Sequence, residues 1–300
     1  VVVLGAGPAG SASAIYSVRK GLKTALIGER FGGQVQDTQG IENLIGITYT
    51  VGPQLAQQLN QHVKSYPVDT FEHRRIKAIN KETKEITFES GETINAGAII
   101  IATGAKWREL NVPGEKEYMG RGVAYCPHCD GPFYKGKKVA VVGGGNSGVE
   151  AAIDLAGIVR EVVLIEFNAE LRADKVLVDK LKSMPNTSII TNAKTLNIEG
   201  DGTQVKALNY LDRQHETERK VELDGVFVQI GLVPNSQFVQ GIVETTKFGE
   251  IIIDNKCRTN VPGIYAAGDV TTVPYKQIVI AMGEGAKAAL TAFEDKMFHG

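Results

Sequence analysis

The chain has 300 residues, 43% hydrophobic and 22% charged, with a formal net charge of -1. That length suits two domains with separate cores, the charge balance leaves no basic stripe for a nucleic-acid backbone, and no apolar run reaches membrane-spanning length. Three cysteines, an odd number, argue against a secreted disulfide framework and for a reducing, cytoplasmic setting.

In chain order, residues 1–4 form an apolar strand-like run that enters Gly5-Ala6-Gly7-Pro8-Ala9-Gly10. A helix to about Lys20 and a strand ending at Glu29 complete a βαβ unit. Because the chain opens inside a strand and without methionine, a preceding segment is expected. Alternating segments around residues 76–88 predict a small antiparallel sheet, and AGAIIIATGA (96–105) predicts a strand. Residues 107–122, rich in Gly, Pro and charge, read as a connection with a boundary near Pro113, and Trp107 is expected to pack there. A second βαβ unit follows: strand KVAVV from Lys138, Gly143-Gly144-Gly145-Asn146-Ser147-Gly148, a helix to about Ala156, and a strand ending at Glu166. Residues 225–231 and 249–269 have strand character, and 276–297 predict a closing helix. The expected class is α/β with two Rossmann-like dinucleotide-binding domains, one (114–246) inserted between the two halves (1–113 and 247–300) of the other.

Each Gly-x-Gly-x-x-Gly supplies a tight turn, bare backbone for a pyrophosphate, and a helix N-terminus carrying partial positive charge. Each also stands between a strand and a helix and is followed by an acid after the next strand, Glu29 and Glu166, able to accept the hydroxyls of an adenosine ribose. Two such loops imply two different dinucleotides. TNVPGIYAAGD (259–269) resembles the second FAD fingerprint of two-dinucleotide flavoproteins, in which the final Asp binds the ribitol. By that resemblance Asp269 pairs with the first loop, FAD takes the first site, and NAD(P) takes the second. At the second ribose position stand Glu166-Phe167-Asn168, with Arg172 the nearest arginine in sequence, so a 2′-phosphate would face a carboxylate and NADH is expected over NADPH.

The pair in AYCPHCDG (124–131) admits three readings: half a zinc site, inert thiols, or a redox-active disulfide. Zinc needs four ligands, whereas only Cys257 remains and the five histidines (62, 73, 128, 215, 299) form no second pair. A flavin favours the redox reading, because reduced flavin can pass two electrons to a disulfide. Asp130, directly after Cys129, can carry the proton that thiol–disulfide interchange moves, or can simply cap a helix. Cys257 reads as a half-buried thiol, and the charge runs at 73–77 and 212–220 as solvated faces or turns.

With these motifs together, the chain resembles the low-molecular-weight thioredoxin reductase family. Within it, the nearest likeness is the thioredoxin-reductase-like part of the flavoprotein subunits of bacterial alkyl hydroperoxide reductases. ERFGGQV (29–35), ATGAKWRELNVPGE (102–115), Cys-Pro-His-Cys and AAGDVTTVPYKQI (266–278) carry the likeness. It implies an FAD site lined by Gly5, Gly7, Pro8, Ala9, Gly10, Glu29, Arg30, Gly33, Gln34, Asn43, Ala102, Thr103, Gly104, Gly268, Asp269, Lys276, Gln277 and Ile278. It implies an NADH site lined by Gly143, Gly145, Asn146, Ser147, Gly148, Glu166 and Gly231. Cys129 would face the flavin, Cys126 would attack the acceptor disulfide, and Asp130 would serve as acid and base. Thioredoxin reductases usually carry an arginine pair where this chain has Phe167-Asn168, in keeping with NADH.

The implied activity passes electrons from NADH to FAD to Cys126–Cys129 and on to a protein disulfide feeding a peroxiredoxin. An upstream thioredoxin-fold domain normally relays them, so residues 1–300 alone are expected to serve the peroxiredoxin poorly. A homodimer is also implied, as is rotation of the inserted domain about connections near 113–116 and 245–249. The alternatives are a reductase acting directly on thioredoxin, an NADH oxidase, a non-turning-over flavoprotein, or a zinc protein.

Overall fold

Val2–Leu4, Ile99–Ile101 and Ile264–Ala266 are three-residue runs of apolar side chains buried on both faces, as strands of a parallel sheet covered on both sides are. In the computed structural model, which describes residues 1–38 and 40–299, they join Thr24–Gly28 and Val68–Glu72 in a five-stranded sheet. Its order is Ile264–Ala266, Ile99–Ile101, Val2–Leu4, Thr24–Gly28, Val68–Glu72, with all neighbours parallel. The half-exposed Val68–Glu72 closes one edge. On one face the helices Pro8–Arg19 and Ile278–His299 bury a core of Val3, Leu26, Ile100 and Ala288. On the other lies an antiparallel sheet of Ile76–Ile79, Glu85–Phe88 and Thr93–Asn95, whose Ile79, Ile86 and Phe88 pack on Leu4, Ile99 and Ile101.

The same plan is built a second time. Thr187–Ile190, Glu161–Ile165, Lys138–Val142, Gly225–Val228 and Val123–Ala124 form, in that order, a second parallel sheet. Helices Asn146–Ala156 and Lys175–Lys182 accompany it, and Val149, Ala152, Leu155 and Leu181 fill the core with Val139, Val141 and Leu164. A three-stranded antiparallel sheet, Ala193–Gly200, Val205–Asp212 and Thr217–Glu222, supplies Ile198, Leu208 and Tyr210 to a core shared with Ala140 and Val142.

The chain divides into unit 1, residues 1–106 and 233–300, and unit 2, residues 107–232. One Rossmann-like unit is thus inserted into the other, but the crossings come earlier than the sequence boundaries at 113 and 246. Leu110 and Val112 pack into the second unit's core, and the Ile198 N–H donates to Pro113 O at 2.9 Å. Val239 and Val243 are buried in the first unit's core, which draws residues 233–246 into it. Of the stretch 249–269, only Ile264–Ala266 becomes a strand, while Ile251 makes isolated bridges to Thr245 and Thr271. Among the described residues, no helix is long and apolar enough to cross a membrane.

Candidate functional site

In unit 1 the first glycine loop is built by steric exclusion. A Cβ on Gly10 would lie 1.7 Å from Gly5 O, and one on Gly5, whose φ is +106°, would lie 2.2 Å from Ala102 O. Gly7 is different, since a Cβ there would meet only Gly32 O at 4.0 Å. Gly7 caps the helix Pro8–Arg19 without a side-chain hydrogen bond, so no capping side chain takes up the N–H groups of the first turn. Thr103, Gly33 and Gly268 close around this loop. Cβ positions on Gly5, Gly33 and Gly268 fall 2.8 Å from Thr103 Cα, 3.2 Å from Gly7 Cα and 2.9 Å from Ala9 Cβ.

Gly268 therefore sets Asp269 at the mouth of the loop. Desolvation pushes the partly buried Asp269 carboxyl above its usual range, the Lys276 charge pulls it back, and no hydrogen bond reaches it among the described residues. Lys276 itself is held by Thr271 O and by Glu250 at 3.1 Å. Asn43 Nδ2 donates to Gln277 Oε1 at 3.1 Å, just ahead of the helix that begins at Ile278. Gln34 lies in the short turn Gly33–Asp37. Arg30 is engaged with Asp37 through both guanidinium nitrogens, at 2.9 and 2.6 Å. Asn235 was not legible in the sequence: its Nδ2 donates to Thr103 O at 2.8 Å, Thr103 Oγ1 donates back to Asn235 O at 2.7 Å, and its N–H bonds Gly104 O. Glu29 is exposed and paired with Arg75 at 2.9 Å, beside a cavity of about 330 Å³. Arg75 is exposed, in keeping with the solvated face expected for residues 73–77, and pairs its charge with Glu29. An open backbone cradle and a desolvated acid lacking a hydrogen-bond donor fit the pyrophosphate and the polyol of a flavin dinucleotide.

Unit 2 repeats the loop. Cβ atoms on Gly148 and Gly143 (φ +125°) would lie 1.8 Å from Gly143 O and 2.3 Å from Gln229 O, whereas Gly145 has nothing within 4 Å. Gly145 caps the helix Asn146–Ala156 without a side-chain bond, and Ser147 and Gly148 form its first turn. Asn146 exchanges two hydrogen bonds with Asp174. Glu166 is buried: it accepts the Gly144 N–H at 2.6 Å and the Asn168 N–H at 2.9 Å, and also the Asn168 side-chain amide. Gly231 (φ +112°) accepts the Arg108 N–H at 3.0 Å. Two arginines reach the residues after Glu166. Arg172 bonds Asn168 Oδ1 at 3.0 Å, and Arg213 stacks 3.9 Å over Phe167 while bonding its carbonyl at 2.7 Å. Arg213 is exposed in a turn, as expected for residues 212–220, and from there it meets Phe167. Bare backbone at Gly145 and a buried ribose-side acid fit a nicotinamide dinucleotide.

Cys126 and Cys129, also in unit 2, are joined as a disulfide with Cα atoms 5.2 Å apart. Cys126 caps the short helix Pro127–Asp130, its sulfur accepting the Cys129 N–H at 3.2 Å. Asp130 is half-buried, and desolvation pushes its carboxyl up to about 6 against a lowering backbone hydrogen bond from Cys126. His128 faces Asp154 at 3.6 Å on the surface. Among the described residues no group of three or more His, Cys, Asp or Glu could hold a metal ion, and the side chain of His299 lies outside the described residues. Cys257 is fully buried rather than half-buried. Burial raises its thiol pKa strongly, and so does its bond to Glu284 at 3.1 Å.

A family model described as pyridine nucleotide-disulphide oxidoreductase matches residues 1–285. The F subunit of alkyl hydroperoxide reductase from Pseudomonas putida is 58% identical over 298 residues, 98% of this chain and 57% of that protein. A protein of Ferdinandcohnia aciditolerans named NADH dehydrogenase is 54% identical, over 98% of this chain and 57% of its own length. The chain spans about half the length of the curated relatives it matches. Among solved structures, thioredoxin reductase from Streptococcus pyogenes superposes with a TM-score of 0.93 at 34% identity, covering 99% of this chain and 97% of that one.

Proposed function

This chain belongs to the pyridine nucleotide-disulphide oxidoreductase family, and we propose that it is an NADH-dependent FAD disulfide reductase of a peroxide-reducing system. The observation that carries the reading is the Cys126–Cys129 disulfide followed directly by a carboxyl poised near neutrality. FAD, when bound, supplies the two-electron chemistry that links a nicotinamide to a disulfide.

The uncapped N-terminus of the helix Pro8–Arg19, the acid Glu29 and the desolvated Asp269 would hold the flavin dinucleotide in unit 1. The loop at Gly143–Gly148 and Glu166 would hold NADH in unit 2. A 2′-phosphate would be set against the Glu166 carboxylate, and Arg172 and Arg213 are committed to Asn168 and Phe167, so NADH is preferred over NADPH.

In its dithiol form, Cys126 gives its proton to Asp130 and attacks the acceptor disulfide as a thiolate. A bond forms between Cys126 and one acceptor sulfur as the acceptor S–S bond breaks, and Asp130 protonates the departing thiolate. Cys129 then gives its proton to Asp130 and attacks Cys126, which restores the Cys126–Cys129 disulfide and expels the second acceptor sulfur, and Asp130 passes the proton on to it. The acceptor gains two electrons and two protons, and the chain is oxidised by the same amount.

The acceptor in this reading is a thioredoxin-fold protein or domain that feeds a peroxiredoxin, with free thioredoxin as the alternative, and the enzyme works in the cytoplasm as a homodimer. A second reading is NADH oxidation in which the cysteines take no part, as in an oxidase delivering electrons to oxygen; the relative named NADH dehydrogenase favours NADH oxidation, and its name gives no disulfide acceptor. Replacing Cys126 by Ser separates them. Disulfide-reducing turnover is expected to vanish while NADH still bleaches the flavin, and unchanged overall NADH turnover would instead establish the oxidase.

A further inference from the structure

Glu115 has no exposed surface, although it comes from a stretch rich in charge, Gly and Pro. The turn that drives it inward is tight: Gly114 has φ +86°, and a Cβ there would lie 1.9 Å from Ile198 O. Burying a carboxylate costs several kcal/mol unless its oxygens are hydrogen-bonded. Here Oε1 accepts the Leu110 N–H at 2.7 Å and the Tyr125 hydroxyl at 2.8 Å, and Oε2 accepts the Asn111 N–H at 2.7 Å. No dinucleotide role and no proton-transfer role uses this acid.

Tyr125, its side-chain partner, is the residue before Cys126, and it is gripped at three points. The hydroxyl donates to Glu115, the carbonyl accepts Gln229 Nε2 at 2.7 Å, and the ring stacks on Trp107 with centroids 6.4 Å apart. Burial and the Glu115 bond hold the hydroxyl in its protonated, donating form. Gln229 in turn has its own carbonyl against Gly143 of the nucleotide loop. Immediately after this anchored residue, Cys126 takes an extended conformation (φ -119°, ψ 100°) that starts the helical turn and brings its Cα within disulfide range of Cys129.

We infer that Glu115 and Tyr125 are positioning residues for the redox pair: the buried carboxylate fixes the tyrosine, and the tyrosine main chain presents Cys126 for closure with Cys129. The inference rests on Cys126–Cys129 being the working disulfide. Releasing the anchor lets the segment before Cys126 sample conformations that do not close, so the dithiol gains over the disulfide.

The test equilibrates FAD-loaded chain with a dithiothreitol couple and counts alkylated thiols by mass. Tyr125→Phe and Glu115→Gln are each expected to shift the equilibrium constant toward the dithiol by about tenfold, the scale of one hydrogen bond to a charged group. The double variant should shift no further than Glu115→Gln alone, because the two side chains act through one contact. Emission from Trp107, the only tryptophan in the chain, should change in both single variants. A contact that only stabilises the fold would lower the melting temperature without moving the thiol count. If Glu115→Gln does not fold, Tyr125→Phe decides alone, since it keeps the ring and removes only the hydroxyl. A folded Tyr125→Phe whose equilibrium stays within about twofold of the parent overturns the inference, being less than one hydrogen bond. Failure of the functional reading would look different: the parent chain would yield no thiols with NADH, whatever the variants do with dithiothreitol.

Discussion

The loops at residues 5–10 and 143–148 exclude side chains by the same contacts: the last glycine of each would drive a Cβ into the carbonyl of the first, at 1.7 and 1.8 Å. Their acids, which stand at matching places in sequence, live differently. Glu29 is exposed and shares its charge with Arg75, whereas Glu166 is buried and already accepts hydrogen bonds from Gly144 and Asn168. Glu29 can turn to a ribose at the cost of a solvent-screened ion pair. Glu166 shapes its own loop before any ligand arrives, and a ligand must fit the acid as it stands. A shared fingerprint therefore sets the backbone of the two sites but not the state of their carboxylates.

The largest effects should come from breaking the part the loops share. Gly10→Ala and Gly148→Ala place a methyl against backbone that cannot yield, each costing about 3 kcal/mol or more. The first is expected to lose FAD content and the second NADH binding, as read by flavin absorbance and by titration. Gly145→Ala is the control: with nothing within 4 Å of the new methyl, thermal stability should hold while NADH binding weakens.

A third acid sharpens the contrast, because Asp130 is desolvated and no cation among the described residues offsets it. Asp130→Asn should slow thiol–disulfide exchange about a hundredfold and abolish any pH dependence centred near 6. Its carboxyl sits above the ordinary value of 3.8, so its contribution to stability is complete below that pH and is lost as pH rises through about 6. The Asn variant should accordingly be more stable than the parent by up to about 3 kcal/mol at pH 7, with the difference closing toward pH 4 in urea unfolding.

Glu166→Gln removes the charge that faces a 2′-phosphate and one of the loop's acceptors. NADH affinity should fall about tenfold, and the ratio of NADPH to NADH affinity should rise. The smallest effect belongs to the exposed pair. Arg75→Ala should change FAD affinity by less than about threefold and stability by no more than about 0.5 kcal/mol.

Much of this architecture was legible because its signals are local. Apolar runs entering glycine loops, and acids closing the next strand, mark both βαβ units within short windows, and the antiparallel segment near 76–88 alternates as such strands do. The crossings between units were misplaced because Leu110 and Val112 are two apolar side chains in a connection-like stretch, and only the core they enter says which unit owns them. Arg213 stood in a charge run, yet the turn between Val205–Asp212 and Thr217–Glu222 carries it onto Phe167. Asn235 and Gln229 belong to the sites through pairings across long stretches of chain. Glu115 looked like any surface acid, since burial of a carboxylate is decided by backbone donors that no side-chain pattern reveals.

The central claim is tested most directly by anaerobic titration of the FAD-loaded chain with NADH, run in parallel with NADPH, following flavin bleaching and free thiols. The account predicts that bleaching completes only after two equivalents of NADH per chain, with two thiols appearing at Cys126 and Cys129 and NADPH reacting much more slowly. Complete bleaching after one equivalent with no new thiols would contradict it and leave the disulfide without a part in the electron path.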